Sequence, residues 1–291
     1  MKLSIIANPV AGRGHAYKSI QRYVRQWPHP EWEVELLTSS TRDHAGLLAR
    51  GLIGGPLDLL VVCGGDGTIN EVASCIPHSP IPIAIVPAGT ANVLARELGL
   101  PLDPIRALRI ALKRAIRRVD LGGLKNGAKR RFLFVAGIGY DAYVVSKVPP
   151  HLKKKLGKAA FVIAAVNCLR SYTFPEFQVV TDNRTLNATS CMVCNAKSYG
   201  GGLVFCPNAD MADGLLDILV VQGRRRLDLA YFLIQAWCGK AATPTWIHRM
   251  RARSLKIEGP TGVLVQTDGE LAGQLPLDIG ITDRIFPLVI P

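Results

Sequence analysis

The chain has 291 residues, 48% of them apolar and 20% charged, with seven cysteines and a formal net charge of +13. That composition excludes a disordered chain and is enough for two domains with cores of their own. The basic excess calls for an anionic partner, whether nucleotide, nucleic acid or acidic membrane surface, and the odd, scattered cysteines fit reduced thiols rather than a disulfide framework.

The opening "MKLSIIANPVAGRG" has an apolar run too short for a signal peptide, and "AAFVIAAVNCL" is about half of a bilayer span, so a cytoplasmic, non-spanning protein is expected. Up to about residue 118, strand and helix patterns alternate. "LSIIA" ends in "NPVAGRG", "WEVELLT" in "SSTRDHA", "LDLLVVC" in "GGDGT" and "PIAIVP" in "AGTAN", with helical stretches after them. This predicts a parallel sheet with helices on its faces and ligand-binding loops at the carboxyl ends of its strands. Thr68 and Glu71 have capping-box spacing, and Gly99 with Pro101 closes the helix that begins near Thr90.

After about residue 119 the pattern turns to short, turn-bounded strands such as "RRFLFVA", "FQVVT", "SCMVCNA", "LLDILVV" and "GVLVQT", with Asn126-Gly127 marking a hairpin. Helical patches interrupt near 151–171 and 227–239. The fold class is therefore α/β: a parallel-sheet nucleotide-binding domain over 1–118, then a β-sandwich-like domain over 119–291.

Common catalytic signatures are missing: there is no HExxH, no GxSxG and no Walker loop. "GIGYDA" matches a dinucleotide fingerprint in letters but lacks the acid about 20 positions onward. Cys191 and Cys194 form a CxxC that reads as buried strand. In "GGDGT", Gly64, Gly65 and Gly67 let the backbone present amides to phosphate, whereas Asp66 repels phosphate unless a cation intervenes. With "NPVAG" and "AGTAN", this loop could enclose one nucleotide. Asp66, Asp213, Asp268 and Glu270 could converge on magnesium, although each Asp-Gly pair taken singly is explained by a turn.

The ordered motifs "NPVAG", "GGDGTINEV", "PAGTAN", "SYGGGLVFCPNADMADGLLDI" and "VQTDGE" cover nearly the whole chain and resemble the diacylglycerol kinase catalytic-domain family, which includes bacterial lipid kinases and the sphingosine and ceramide kinases. The resemblance implies ATP as phosphate donor, Mg2+ and a lipid hydroxyl as acceptor. It places nucleotide contacts at Asn8, Pro9 and Gly12, at Ser39, at Gly64, Gly65, Asp66, Gly67, Thr68, Asn70 and Glu71, and at Gly89, Thr90 and Asn92. It implies a magnesium site from the Asp213 carboxylate with the carbonyls of Asp210 and Leu215. Proton acceptance falls to Glu270, with Asp268 beside it and Asp66 as a further catalytic acid. Many members carry an aspartate where this chain has Val93.

The implied partner is a lipid at an anionic membrane surface, reached by a peripherally associated protein; a homodimer is open and no nucleic acid is expected. The basic-apolar segment 151–172 either lies on lipid or is a core helix with a solvated end. An NAD kinase-like enzyme and a non-catalytic acidic-lipid binder are the alternative readings.

Overall fold

The computed structural model describes residues 1–113, 115–125, 130–149, 158–199, 202–238 and 244–291. Asn126-Gly127 and the basic residues 151–157 lie outside them. Contacts divide the chain into two units, Met1–Val119 with Arg284–Pro291, and Asp120–Asp283.

In the first unit, four short apolar runs form strands β1 (Lys2–Ala7), β2 (Glu33–Thr38), β3 (Leu59–Gly64) and β4 (Ile83–Pro87). They pair in parallel in the order β2-β1-β3-β4. Every residue of β3 and β4 is buried, as strands covered on both sheet faces require. Helices α1 (His15–Arg25), α2 (His44–Leu52), α3 (Asp66–Cys75), α4 (Val93–Glu97) and α5 (Pro104–Ala111) alternate with or follow the strands. Ile20 of α1 and Leu108 of α5 pack on Leu3, Ile5, Leu59 and Val61 in one apolar core. From β1 the chain moves first to one neighbour, β2, and then back across to the other, β3. The loops after β1 and β3 therefore flank the point where strand order reverses, which is where open α/β sheets bind ligands.

Helix α3 starts earlier than capping-box spacing suggests. Gly65 is its extended N-cap and Asp66 its first residue, so Thr68 is inside the first turn and caps nothing. A carboxylate at that first position is favoured by the helix dipole, which overrides the Thr-x-x-Glu signal. Gly99, at φ 68°, ends the α4 turn, with Leu100 N donating to Ala95 O at 2.7 Å.

In the second unit, β5 (Ile116–Leu124), whose last residues belong here, and β6 (Arg131–Phe132) lead into β7 (Val135–Ile138), α6 (Tyr140–Lys147) and α7 (Lys158–Cys168). Strands β8 (Phe177–Thr181), β9 (Arg184–Ala188), β10 (Ser190–Cys194), β11 (Ser198–Tyr199), β12 (Leu203–Val204) and β13 (Leu216–Val221) follow. After α8 (Arg226–Cys238) come β14 (Ile247–Ala252), β15 (Ser254–Glu258), β16 (Leu264–Thr267), β17 (Glu270–Gln274) and β18 (Leu277–Val289).

One antiparallel sheet runs β14-β13-β10-β7-β16-β17. Its alternate residues Ile138, Val193, Leu216, Ile218, Val220 and Val265 share a core with Phe177, Val179, Leu255, Ile257 and Ile279 from β8, β15 and β18. Two sheets burying alternate residues against each other make a sandwich. Strand β18 pairs antiparallel with β15, and near its end Leu288 pairs in parallel with Ile83 of β4. Residues 284–291 thus belong to the first unit, whereas a division at 118/119 assigns them to the second.

Candidate active site

Three loops of the first unit meet at the carboxyl ends of β1, β3 and β4. Asn8 Nδ2 donates to Thr68 Oγ1 at 3.1 Å, its Oδ1 accepts from Val10 N at 3.1 Å, and its own amide donates to Cys63 O at 2.9 Å. Asn92, at φ 49°, accepts from Gly89 N at 2.8 Å and donates back to Gly89 O at 2.9 Å. The glycines permit the approach: a Cβ on Gly89 would stand 2.7 Å from Gly65 Cα, and one on Gly12 would collide with Ala88 O. Ser39 is buried, its amide donating to Ala7 O at 2.9 Å and its hydroxyl 3.5 Å from the same carbonyl.

Asp66 has a structural task here: its Oδ1 accepts the amide of Leu94 in the first turn of α4 at 3.2 Å. Val93, where the resemblance implies an aspartate, is 5% exposed and apolar. The hydrogen bond from Ile69 N to Gly65 O at 3.1 Å opens the α3 ladder, which puts the amides of residues 66–68 in the first turn, where a helix offers donors to an anion. Asn70 Oδ1 is buried without a hydrogen-bond partner, an acceptor suited to a ligand's donor. A cradle closed by glycines at the start of a helix fits the phosphates of a nucleotide.

In the second unit, the turn before β13 carries Asp210, Asp213 and Leu215. Ala212 N donates to Asp210 Oδ1 at 3.0 Å and Leu215 N to Asp213 Oδ1 at 2.9 Å. Asp120, fully buried at the start of this unit, clamps the turn: Gly214 N donates to its Oδ2 at 2.7 Å, and its amide donates to Met211 O. The other Asp213 oxygen pairs with Arg251 of β14, whose Nε lies 3.4 Å from Asp217 Oδ2. Burial pushes the Asp217 carboxyl up and Arg251 draws it part of the way back. Asp213 with the carbonyls of Asp210 and Leu215 would offer oxygen donors alone, which suit a hard cation such as Mg2+, although Asp210 O already accepts Asp213 N at 3.4 Å and Arg251 pairs with the Asp213 carboxylate.

Asp268 and Gly269 form the two-residue turn between β16 and β17, at φ 48° and 86°, as a type I′ hairpin requires. The Asp268 carboxylate accepts three amides, those of Leu133 (2.7 Å), Phe134 (3.0 Å) and Val135 (2.9 Å), and so ties the turn to the start of β7. Glu270 is half exposed, with Arg130 Nη1 at 3.8 Å from its Oε2 while the same nitrogen donates to Leu271 O at 2.7 Å. Within this unit the structure does not gather Asp213, Asp268 and Glu270: among the described residues no three His, Cys, Asp or Glu side chains are placed to hold one metal ion. Each acid is engaged by its own neighbours, which sequence separation conceals.

A polar network behind this turn was not expected from the letters. Asp141 of "GIGYDA" accepts Gln266 Nε2 at 2.5 Å, and Gln266 Oε1 accepts Gly269 N at 2.7 Å and the Tyr199 hydroxyl at 3.3 Å. Burial raises the Asp141 carboxyl from 3.8 to about 6, with the Gln266 bond pulling the other way. Tyr199 is raised well above its ordinary value by burial, then by the charges of Asp141 and Asp268. An aspartate just inside a helix that follows a glycine-bounded strand was the available signal.

Comparison with known proteins now adds to the geometry. Residues 2–124 match the diacylglycerol kinase catalytic domain, and residues 135–290 match the YegS C-terminal NAD kinase beta sandwich-like domain. The diacylglycerol kinase of Mycobacterium tuberculosis is 31% identical across 100% of this chain and 95% of its own length. The chain belongs to the diacylglycerol kinase catalytic-domain family. It is a kinase, with the family's α/β domain followed by a β-sandwich-like one. A crystal structure from Bacillus anthracis str. Sterne, of a protein assigned as a diacylglycerol kinase, superposes with TM-score 0.81 at 26% identity, covering 100% of this chain and 95% of that one. An NAD kinase from Archaeoglobus fulgidus shares the fold, with TM-score 0.53 at 13% identity over 99% and 93% of the two chains.

Proposed function

We propose that this diacylglycerol kinase family member transfers the γ-phosphate of ATP to a lipid hydroxyl, diacylglycerol-like, phosphatidylglycerol-like or sphingoid. The observation that carries the reading is the mutual locking of the three glycine loops, Asn8 to Thr68, Asp66 to Leu94 and Gly65 against Gly89. Amides at the start of α3 and in the loops beside it receive the phosphates; Ser39, Thr90 and Asn92 supply further polar contacts. Asp66 holds α4 in register, and buried Val93 adds no second acid there.

In the transfer, the lipid hydroxyl oxygen attacks the γ-phosphorus in line, the bond to the ADP oxygen breaks, and the hydroxyl proton passes to a carboxylate. Glu270 is the acceptor we assign, because its half-exposed carboxylate stands in the field of Arg130 at 3.8 Å, whereas the Asp268 carboxylate accepts three backbone amides. Asp268 positions, and Glu270 acts. Asp213 with the Asp210 and Leu215 carbonyls would hold Mg2+, which when bound neutralises phosphate charge.

No helix among the described residues is long and apolar enough to cross a membrane, so access to lipid by this reading is peripheral. The test is transfer of label from ATP to vesicles holding diacylglycerol, phosphatidylglycerol, sphingosine, ceramide or monoacylglycerol, with NAD as a soluble arm. Label in a lipid supports the proposal; label in NAD alone overturns it.

A further inference from the structure

Helix α8 is apolar on two sides. Leu229 and Phe232 are buried beneath it, at 0% and 5% exposure, whereas Leu227, Tyr231 and Ile234 are 79%, 38% and 60% exposed. Positions i, i+4 and i+7 fall on one helix face, so the three make a continuous outward stripe. A helix apolar all round ordinarily has both sides covered. Directly before the stripe stand Arg224, Arg225 and Arg226, all exposed, against one acid, Asp228, which accepts the Arg225 amide at 3.0 Å. Arg224 pairs with Glu176 at 2.8 Å, and Arg225 and Arg226 extend the positive edge. Tyr231 lies edge-on to half-buried Trp246 at 6.0 Å, so two rings with polar tips border the stripe.

From this combination we infer that the face Leu227-Tyr231-Ile234, with Arg225 and Arg226, docks on an anionic lipid bilayer. Apolar side chains enter the acyl boundary, arginines meet headgroup phosphates, and the aromatic pair sits at the level between them. The chain's net charge of +13 favours the same partner over a second copy of this equally basic protein. The inference rests on the lipid-kinase reading for its purpose, although the contact itself is independent of turnover.

The experiment is co-sedimentation of the full chain with phosphatidylcholine vesicles, with and without phosphatidylglycerol, in the absence of ATP. Wild type is expected to bind the anionic vesicles and to release as salt rises. Leu227→Ser with Ile234→Ser, and separately Arg225→Gln with Arg226→Gln, are each expected to lose roughly tenfold or more in partitioning. Both pairs lie on the surface, and unchanged circular dichroism confirms folding.

Binding unaffected by either pair overturns the inference. So does a concentration-dependent dimer in sedimentation velocity that the Leu227/Ile234 pair abolishes, since it assigns the face to a second copy. Kinase assays separate the two readings: vesicle binding lost in the variants, with turnover of a water-soluble short-chain diacylglycerol intact, supports this inference. Wild type that binds vesicles yet phosphorylates no lipid removes the kinase reading and leaves the docking face standing.

Discussion

Replacing Asp141 by asparagine keeps an oxygen that can accept the Gln266 amide and removes only the titration. In the folded protein this carboxyl titrates near 6 instead of 3.8, because burial disfavours its charge. Between those two values the folded state binds the proton more tightly than the unfolded chain does. This group's contribution to stability is therefore full below 3.8, falls as pH rises toward 6, and levels off above it. At about 1.4 kcal/mol per pH unit the gap comes to about 3 kcal/mol, and partial exposure of the residue brings the expected figure to about 2–3 kcal/mol. Urea unfolding of wild type and Asp141→Asn from about pH 4 to about pH 7.5 reads it directly. The variant should gain on wild type by that amount across the range. Parallel stability curves would show that the fold does not desolvate the Asp141 carboxyl, and the network supporting the Asp268-Gly269 turn would need another origin.

Glu270→Gln is expected to lower kcat by roughly 10²- to 10⁴-fold with the fold and ATP affinity retained; wild-type turnover removes it as proton acceptor. Gly89→Ala drives a methyl against Gly65 Cα, and it should cost about 1–3 kcal/mol in thermal stability and weaken ATP binding measured by calorimetry. Arg251→Gln withdraws the competitor of a cation at Asp213, so manganese titration followed by electron paramagnetic resonance should show affinity raised about fivefold, in line with an ion pair worth about 1 kcal/mol; unchanged or weaker affinity argues against a site there.

Much of this architecture is visible in the letters because it is local. Continuous apolar runs such as "LLVVC" declare parallel strands, and glycine clusters at their ends declare loops that approach a ligand. The Asp268-Gly269 pair declares a hairpin, and the structure contains one. Long-range partners stay hidden. Asp66 serves Leu94, 28 residues away, and Asp268 serves amides more than 130 residues earlier, so four acids that read as one cluster have separate attachments. The arginines of "IHRMRA" lie on the outward-facing alternate positions of β14, and Arg251, reaching Asp213 38 residues earlier, is one more such partner. The return of residues 284–291 beside β4 follows from sheet pairing, which a strand's own sequence does not specify.

The three glycine loops are the proposed seat of the nucleotide. Hydrogen exchange of the wild-type protein with and without ATP measures this most directly. Slowed exchange concentrated in peptides spanning residues 8–14, 64–70 and 88–93 is the expected result. Exchange that stays unchanged there while ATP demonstrably binds elsewhere would contradict it.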